Sequence, residues 1–151
     1  RLVGSEMCIR DRQTAEEMRA VWETNRATYP FLVATDDALE SNPTASDSPT
    51  VIGYARAYRW RERAAYARTA ETGIYLCPDL CRRGIGRTLY AALIQACREH
   101  GLHTLIGGIA LPNEPSIALH TALGFTHAGT CREVGHKFNK WHDLAFYQLI
   151  L

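Results

Sequence analysis

Cys81-Arg-Arg-Gly-Ile-Gly86 stands between a short apolar run and a long amphipathic one. A glycine-rich turn that feeds a helix leaves the first backbone N–H groups without partners, and the helix dipole favours negative charge there. Gly84 and Gly86 have no Cβ to hold a phosphate away. The turn therefore reads either as a pyrophosphate cradle or as an ordinary strand–helix turn. Arg61 and Arg63 lie in a polar stretch that ends at Tyr66, and each alone reads as solvated charge. By itself Glu71 reads as a solvated strand-end carboxylate, and His120 as a core histidine on a helix face. Cys77 and Cys81 form a C-x-x-x-C pair, but a zinc site needs a second pair or a nearby histidine pair, so no metal is expected.

These groups need elements to hold them. Thr14 to Ala27 patterns as an amphipathic helix, with Thr14 and Glu17 at capping-box spacing and Met18, Val21 and Trp22 on one face. Tyr29-Pro30 stops it, and Phe31 to Ala34 is a short apolar strand. Asp36 to Thr50 is a long loop rich in Asp, Ser, Pro and Thr, followed by strands over Val51 to Tyr58 and Thr72 to Cys77. A helix from about Arg87 to His100 carries Leu89, Leu93 and Cys97 on its apolar face and ends at Gly101. Leu105 to Leu111 is an apolar strand. Asn113 then suits the N-cap of a short helix, with Pro115 in its first turn and Ile117, Leu119 and His120 presented before Leu123-Gly-Phe125. Strands over roughly Thr126 to Val134 and Leu144 to Ile150 close the chain.

With 151 residues, 46% hydrophobic and 22% charged, the chain has material for one domain with a real core. Seventeen Lys+Arg against 16 Asp+Glu give a charge of +1, too little basic excess for nucleic acid as the principal partner. No apolar run approaches the ~18–20 residues of a membrane span, and none resembles a signal segment, so no membrane partner and a cytoplasmic setting are expected. Five cysteines, an odd number without a secretory signal, fit reduced thiols. Residues 1–12, RLVGSEMCIRDR, have no helix or strand pattern and read as an in-frame translation of a sequencing-library adapter. The domain is therefore expected over residues 13–151.

The residues also carry a resemblance. Cys81-Arg-Arg-Gly-Ile-Gly86 resembles the Q/R-x-x-G-x-G/A acetyl-CoA motif of the GNAT N-acetyltransferase superfamily, with Cys81 departing at the first position. Glu71-Thr-Gly-Ile-Tyr75 resembles the E-x-x-x-Y strand of its phosphinothricin and methionine sulfoximine acetyltransferases. Gly108-Ile-Ala-Leu-Pro-Asn-Glu-Pro-Ser-Ile-Ala-Leu-His-Thr-Ala-Leu-Gly-Phe125 follows their G-x-x-L-P-N-x-P-S-x-x-L-H-x-x-L-G-F/Y segment nearly throughout. Gly135-His-Lys-Phe-Asn-Lys-Trp-His-Asp143 looks like their G-x-K-x-x-x-W-H-D hairpin, and Trp60, Arg61, Arg63, Ala65 and Tyr66 match W-K/R-x-R-x-A-Y. The resemblance covers residues 13 to 151, without a counterpart for the family's first strand and helix.

The resemblance implies an α/β fold of GNAT architecture, with a mixed central sheet flanked by helices on both faces. It implies metal-free transfer of acetyl from acetyl-CoA to a small amino-acid-like amine, and with it resistance to such amino-acid antibiotics. Glu71 takes the role of general base and His120 that of second catalytic group. Gly73, Ile74 and Tyr75 would offer backbone groups to the cofactor arm. Cys81, Arg82, Arg83, Gly84, Ile85 and Gly86 would hold its pyrophosphate, with Asn113 and Ser116 touching the arm as well. Arg61, Arg63 and Tyr66 would clamp the acceptor. A homodimer is expected, with the hairpin around Trp141 contributing. A GNAT for another amine (a peptide N-terminus or a polyamine) and a non-catalytic acyl-CoA-binding module are the alternatives.

Overall fold

In the computed structural model the described residues are 14–36, 50–80 and 83–151. The expected long loop falls almost wholly outside them, as do Cys81 and Arg82. Helix α1 (Ala15–Asn25) begins at a complete capping box, in which the Glu17 N–H donates to Thr14 Oγ1 at 3.1 Å and the Thr14 N–H to Glu17 Oε2 at 2.8 Å. Strands β1 (Phe31–Asp36), β2 (Thr50–Arg59) and β3 (Thr69–Leu76) form an antiparallel meander. A crossover through α2 (Ile85–Glu99) then places β4 (Thr104–Ala110) parallel to β3. After α3 (Glu114–Ala122), the hairpin β5 (Thr126–Lys137) and β6 (Lys140–Ile150) inserts β6 beside β4, giving the order β1-β2-β3-β4-β6-β5.

The core lies between the sheet and α2. Leu89, Leu93 and Cys97 are buried as their 3.6-residue spacing requires, against Ala55, Ala57, Ala70 and Leu105. Burial pushes the Cys97 thiol up to about 12, leaving it a packing group rather than a reactive one. The last two strands run longer than their apolar patterns indicate. They meet at Phe138 and Asn139, both at positive φ (52° and 56°), as a two-residue hairpin turn requires. Helix α1 departs from expectation more. It buries no residue, and Val21 and Trp22 remain 40% exposed. Its apolar face roofs a cavity on the side of the sheet away from α2 instead of entering the core. No helix among the described residues is long and apolar enough to cross a membrane.

Candidate active site

Strands β3 and β4 pair over only four positions, from Thr69↔Thr104 to Thr72↔Gly107. Beyond them both strands continue without pairing to each other, which opens a V-shaped notch whose apex lies at Thr72 and Gly107. Antiparallel pairs alternate between bonded and non-bonded positions. Cys77 N–H donates to Ile52 O, so Tyr75 and Gly73 also turn their backbone groups toward β2. Ile74 and Leu76 then direct N–H and C=O into the notch, as an exposed strand edge does for an extended ligand. Of the three residues expected to serve a cofactor arm, Ile74 holds that position.

The glycine turn reaches the same opening. Gly84 is the N-cap of α2 at φ 81°, a conformation that glycine adopts without strain, and no side chain among the described residues caps the helix. A Cβ on Gly86 would come within 2.9 Å of Leu76 Cδ1, so its absence lets the helix N-terminus sit against the notch-lining strand. Arg83 is exposed beside Gly84, and Ile85 is half-buried in the first turn.

Two consecutive glycines in β4 set the side-chain geometry. A Cβ on Gly107 would overlap the His120 ring, while one on Gly108 would meet Glu71 Oε1 at 3.3 Å. Successive strand residues face opposite sides. Glu71 and His120 therefore reach the apex from opposite faces of the sheet and do not share one pocket. Gly107→Ala is expected to cost about 1–3 kcal/mol by forcing the ring aside. Gly129→Ala, where a Cβ would meet nothing within 4 Å, is the control; thermal denaturation should separate the two.

His120 is 4% exposed. Its Nδ1 lies 2.8 Å from Ser116 O, which can only accept, so Nδ1 carries the proton. In the neutral ring Nε2 then accepts from the Tyr90 hydroxyl at 3.0 Å, and Tyr90 lies 2.7 Å from Thr72 Oγ1. Burial lowers the His120 pKa against a smaller upward pull from Ser116, and burial drives the Tyr90 phenol far above its usual range. Both groups are thus neutral, and they join α2, α3 and β3 directly behind the apex. Asn113 Oδ1 caps α3 by accepting from the Ser116 N–H at 3.3 Å.

On Glu71's face a wall of rings leads outward. Phe146 Cε1 would stand 3.8 Å from a Cβ on Gly108, Trp60 meets Phe146 edge-on at 5.6 Å, and the Arg61 guanidinium lies 4.8 Å over Trp60. Arg61, Arg63 and Tyr66 are all exposed in the β2–β3 connection, where Ala64–Tyr66 forms a short 3-10 turn. Glu71 and Phe146 thus both approach Gly108, with Trp60 and Arg61 continuing outward from Phe146, and Arg63 and Tyr66 lie at the rim. Sequence reasoning missed Gly107, Thr72 and Tyr90; the paired glycines inside a strand pattern were the available signal. Among the described residues no cluster of three or more His, Cys, Asp or Glu could hold a metal ion.

Comparison with known proteins agrees with this architecture. Residues 9–125 match the profile of the family described as Acetyltransferase (GNAT) family. A phosphinothricin N-acetyltransferase of Streptomyces coelicolor is 45% identical over 120 residues, 80% of this chain and 65% of that protein. The chain thus spans just under two thirds of that relative's length. An L-methionine sulfoximine/L-methionine sulfone acetyltransferase of Pseudomonas aeruginosa is 39% identical over 135 residues, 88% of this chain and 73% of that one. The crystal structure of a GNAT superfamily phosphinothricin acetyltransferase from Sinorhizobium meliloti, in complex with AcCoA, superposes with a TM-score of 0.79 at 35% identity, covering 93% of this chain and 70% of that one.

Proposed function

The chain belongs to the acetyltransferase (GNAT) family, and from that premise we propose that it transfers acetyl from acetyl-CoA to the amine of a small amino-acid-like acceptor of the phosphinothricin or methionine sulfoximine type. The observation that carries this reading is the notch: a splayed strand edge, a glycine-lined helix N-terminus and the Glu71 carboxylate converge on it. The residues fit acetyl-CoA, since Ile74 and Leu76 present backbone groups along an open edge and Gly84 to Gly86 leave helix N–H groups clear for a pyrophosphate. Arg82, Arg83, Asn113 and Ser116 are the further candidates for holding the cofactor. When bound, acetyl-CoA supplies the acyl group as an activated thioester.

The chain's own residues do the rest. A free amine is mostly protonated at neutral pH, and Glu71 takes that proton, directly or through water. Backbone N–H groups at the apex polarise the thioester oxygen as charge develops. His120, enclosed behind β4, is a positioning group: its Nε2 accepts from the Tyr90 hydroxyl, which in turn meets Thr72 at the apex. Arg61 and Arg63 meet the acceptor's polar head from the rim, with Tyr66 beside them. We also propose a cytoplasmic homodimer formed through the β5–β6 hairpin, where Val134, Phe138 and Trp141 are 57%, 65% and 61% exposed.

Mass-spectrometric identification of the acetylated acceptor tests the activity. Arg61→Ala and Arg63→Ala test the clamp. Removing one charge-assisted hydrogen bond to an anionic acceptor should cost about 1.5–3 kcal/mol, roughly ten- to hundredfold in kcat/KM. The loss should fall on acceptor KM, with acetyl-CoA KM little changed. An unaltered acceptor ranking in both variants would make these arginines surface charge.

A further inference from the structure

Arg56 is a buried cation that the acetyl-transfer scheme leaves unused. It sits in the middle of β2 and is only 6% exposed, and its Nε is buried without a hydrogen-bond partner among the described residues. The guanidinium lies over the Tyr58 ring, its Cζ 5.3 Å from the ring centre, and the Nε–H donor is left without a partner among the described residues. The group borders the cavity of about 70 Å³ between α1 and the sheet. Met18, Val21, Trp22 and Phe31 make its apolar walls, Arg26 is its second cation, and no carboxylate of the described residues lines it. A buried guanidinium without a counter-charge is costly, and its planar fork matches a carboxylate.

Register links this cavity to the reacting groups through Tyr58, which lines it and is the cross-strand neighbour of Glu71. Arg56 pairs across the sheet with Gly73, over which the Tyr75 ring folds, its Cε2 3.4 Å from where a Cβ would stand, and Tyr58 pairs with Glu71. All of these positions except Gly73 carry side chains on the same face, and Glu71 is only two residues along β3, roughly 7 Å. The volume is several times what one ordered water needs, and it suits a group the size of a carboxylate.

We propose that Arg56 is the inner anchor of the acceptor site and takes the α-carboxylate of an amino-acid acceptor inside the α1–β2 cavity. The amine, carried on the same carbon as the carboxylate, is then directed along β3 toward Glu71. Arg61 and Arg63 are left for the distal head. The inference rests on the acetyl-transfer reading for the identity of the ligand, but the cavity and its buried guanidinium stand apart from that reading.

The test uses the full chain and its Arg56→Met and Arg56→Lys variants, with L-methionine sulfoximine and its carboxamide as probes. Without ligand, Arg56→Met should melt about 2–4 °C above the parent, because a buried guanidinium with no carboxylate among the described residues lining its cavity has been replaced by an apolar chain. Methionine sulfoximine should raise the melting temperature of the parent and not of Arg56→Met, and the carboxamide should raise neither. In turnover, Arg56→Met should raise acceptor KM by about ten- to hundredfold, leave acetyl-CoA KM unchanged and erase the preference for carboxylate over carboxamide. Arg56→Lys should fall between the two. A lower melting point in Arg56→Met together with undiminished protection by methionine sulfoximine would make Arg56 a structural tie and overturn the proposal, as would a parent that methionine sulfoximine does not protect. Protection that depends on Arg56 in a chain with no transferase activity would sink the activity reading while the carboxylate pocket stood.

Discussion

Glu71→Gln should lower turnover by about 10²–10⁴ while acetyl-CoA binding stays nearly intact. The substitution keeps the shape of the side chain over Gly108 and removes only its capacity to take a proton. The cofactor-facing groups, Ile74, Leu76 and the α2 N-terminus, belong to other positions of the notch and are untouched. The loss should therefore appear in kcat, and most strongly at neutral pH, where the acceptor amine arrives protonated. At high pH a pre-deprotonated amine should recover part of the rate. A Glu71→Gln enzyme with unchanged turnover across the pH range would remove Glu71 from the mechanism.

His120→Ala should cost about 2–4 kcal/mol of stability, since it empties a packed site beneath Gly107 and strips the Tyr90 hydroxyl of its acceptor. Turnover should fall as well, because the apex loses the support that fixes Thr72 and Gly107. A pH signature separates this residue from an ordinary core group. Burial holds the folded His120 pKa below its unfolded value, so the unfolded chain takes up the proton first. The stability is complete above about pH 6.5 and is lost as pH falls through that value toward the folded pKa. Denaturant titrations of the parent should show this loss, and His120→Phe, which fills the volume without titrating, should flatten it. Parallel pH curves for the two proteins would contradict the buried-neutral assignment.

The local features were legible in the sequence because local spacing determines them. The Thr14–Glu17 capping box, the Leu89–Leu93–Cys97 face of α2 and the Asn113 cap of α3 each depend on residues within a turn or two of one another. What escaped was non-local. Nothing in the run Leu105 to Leu111 says that β4 leaves β3 after four pairs, although Gly107-Gly108 inside that run marks where two side chains approach. The run Val51 to Tyr58 drew no notice to Arg56, which the structure leaves only 6% exposed. Helix α1, whose Met18, Val21 and Trp22 read as a core face, instead roofs the cavity that buries Arg56. The separation of Glu71 and His120 onto opposite faces likewise depends on the β3–β4 register, which neither residue's own segment encodes. Resemblance named both residues, and only geometry divided them.

The central claim is acetyl transfer to an amino-acid-like amine, and release of CoA thiol from acetyl-CoA tests it most directly when followed across a panel of amines. Phosphinothricin and methionine sulfoximine should drive thiol release far faster than simple alkyl amines, polyamines or peptide N-termini, with one thiol appearing per acceptor acetylated. Acetyl-CoA binding without acceptor-dependent release would make the chain a binding module. Equal or faster release with alkyl amines or peptides would contradict the amino-acid-like acceptor.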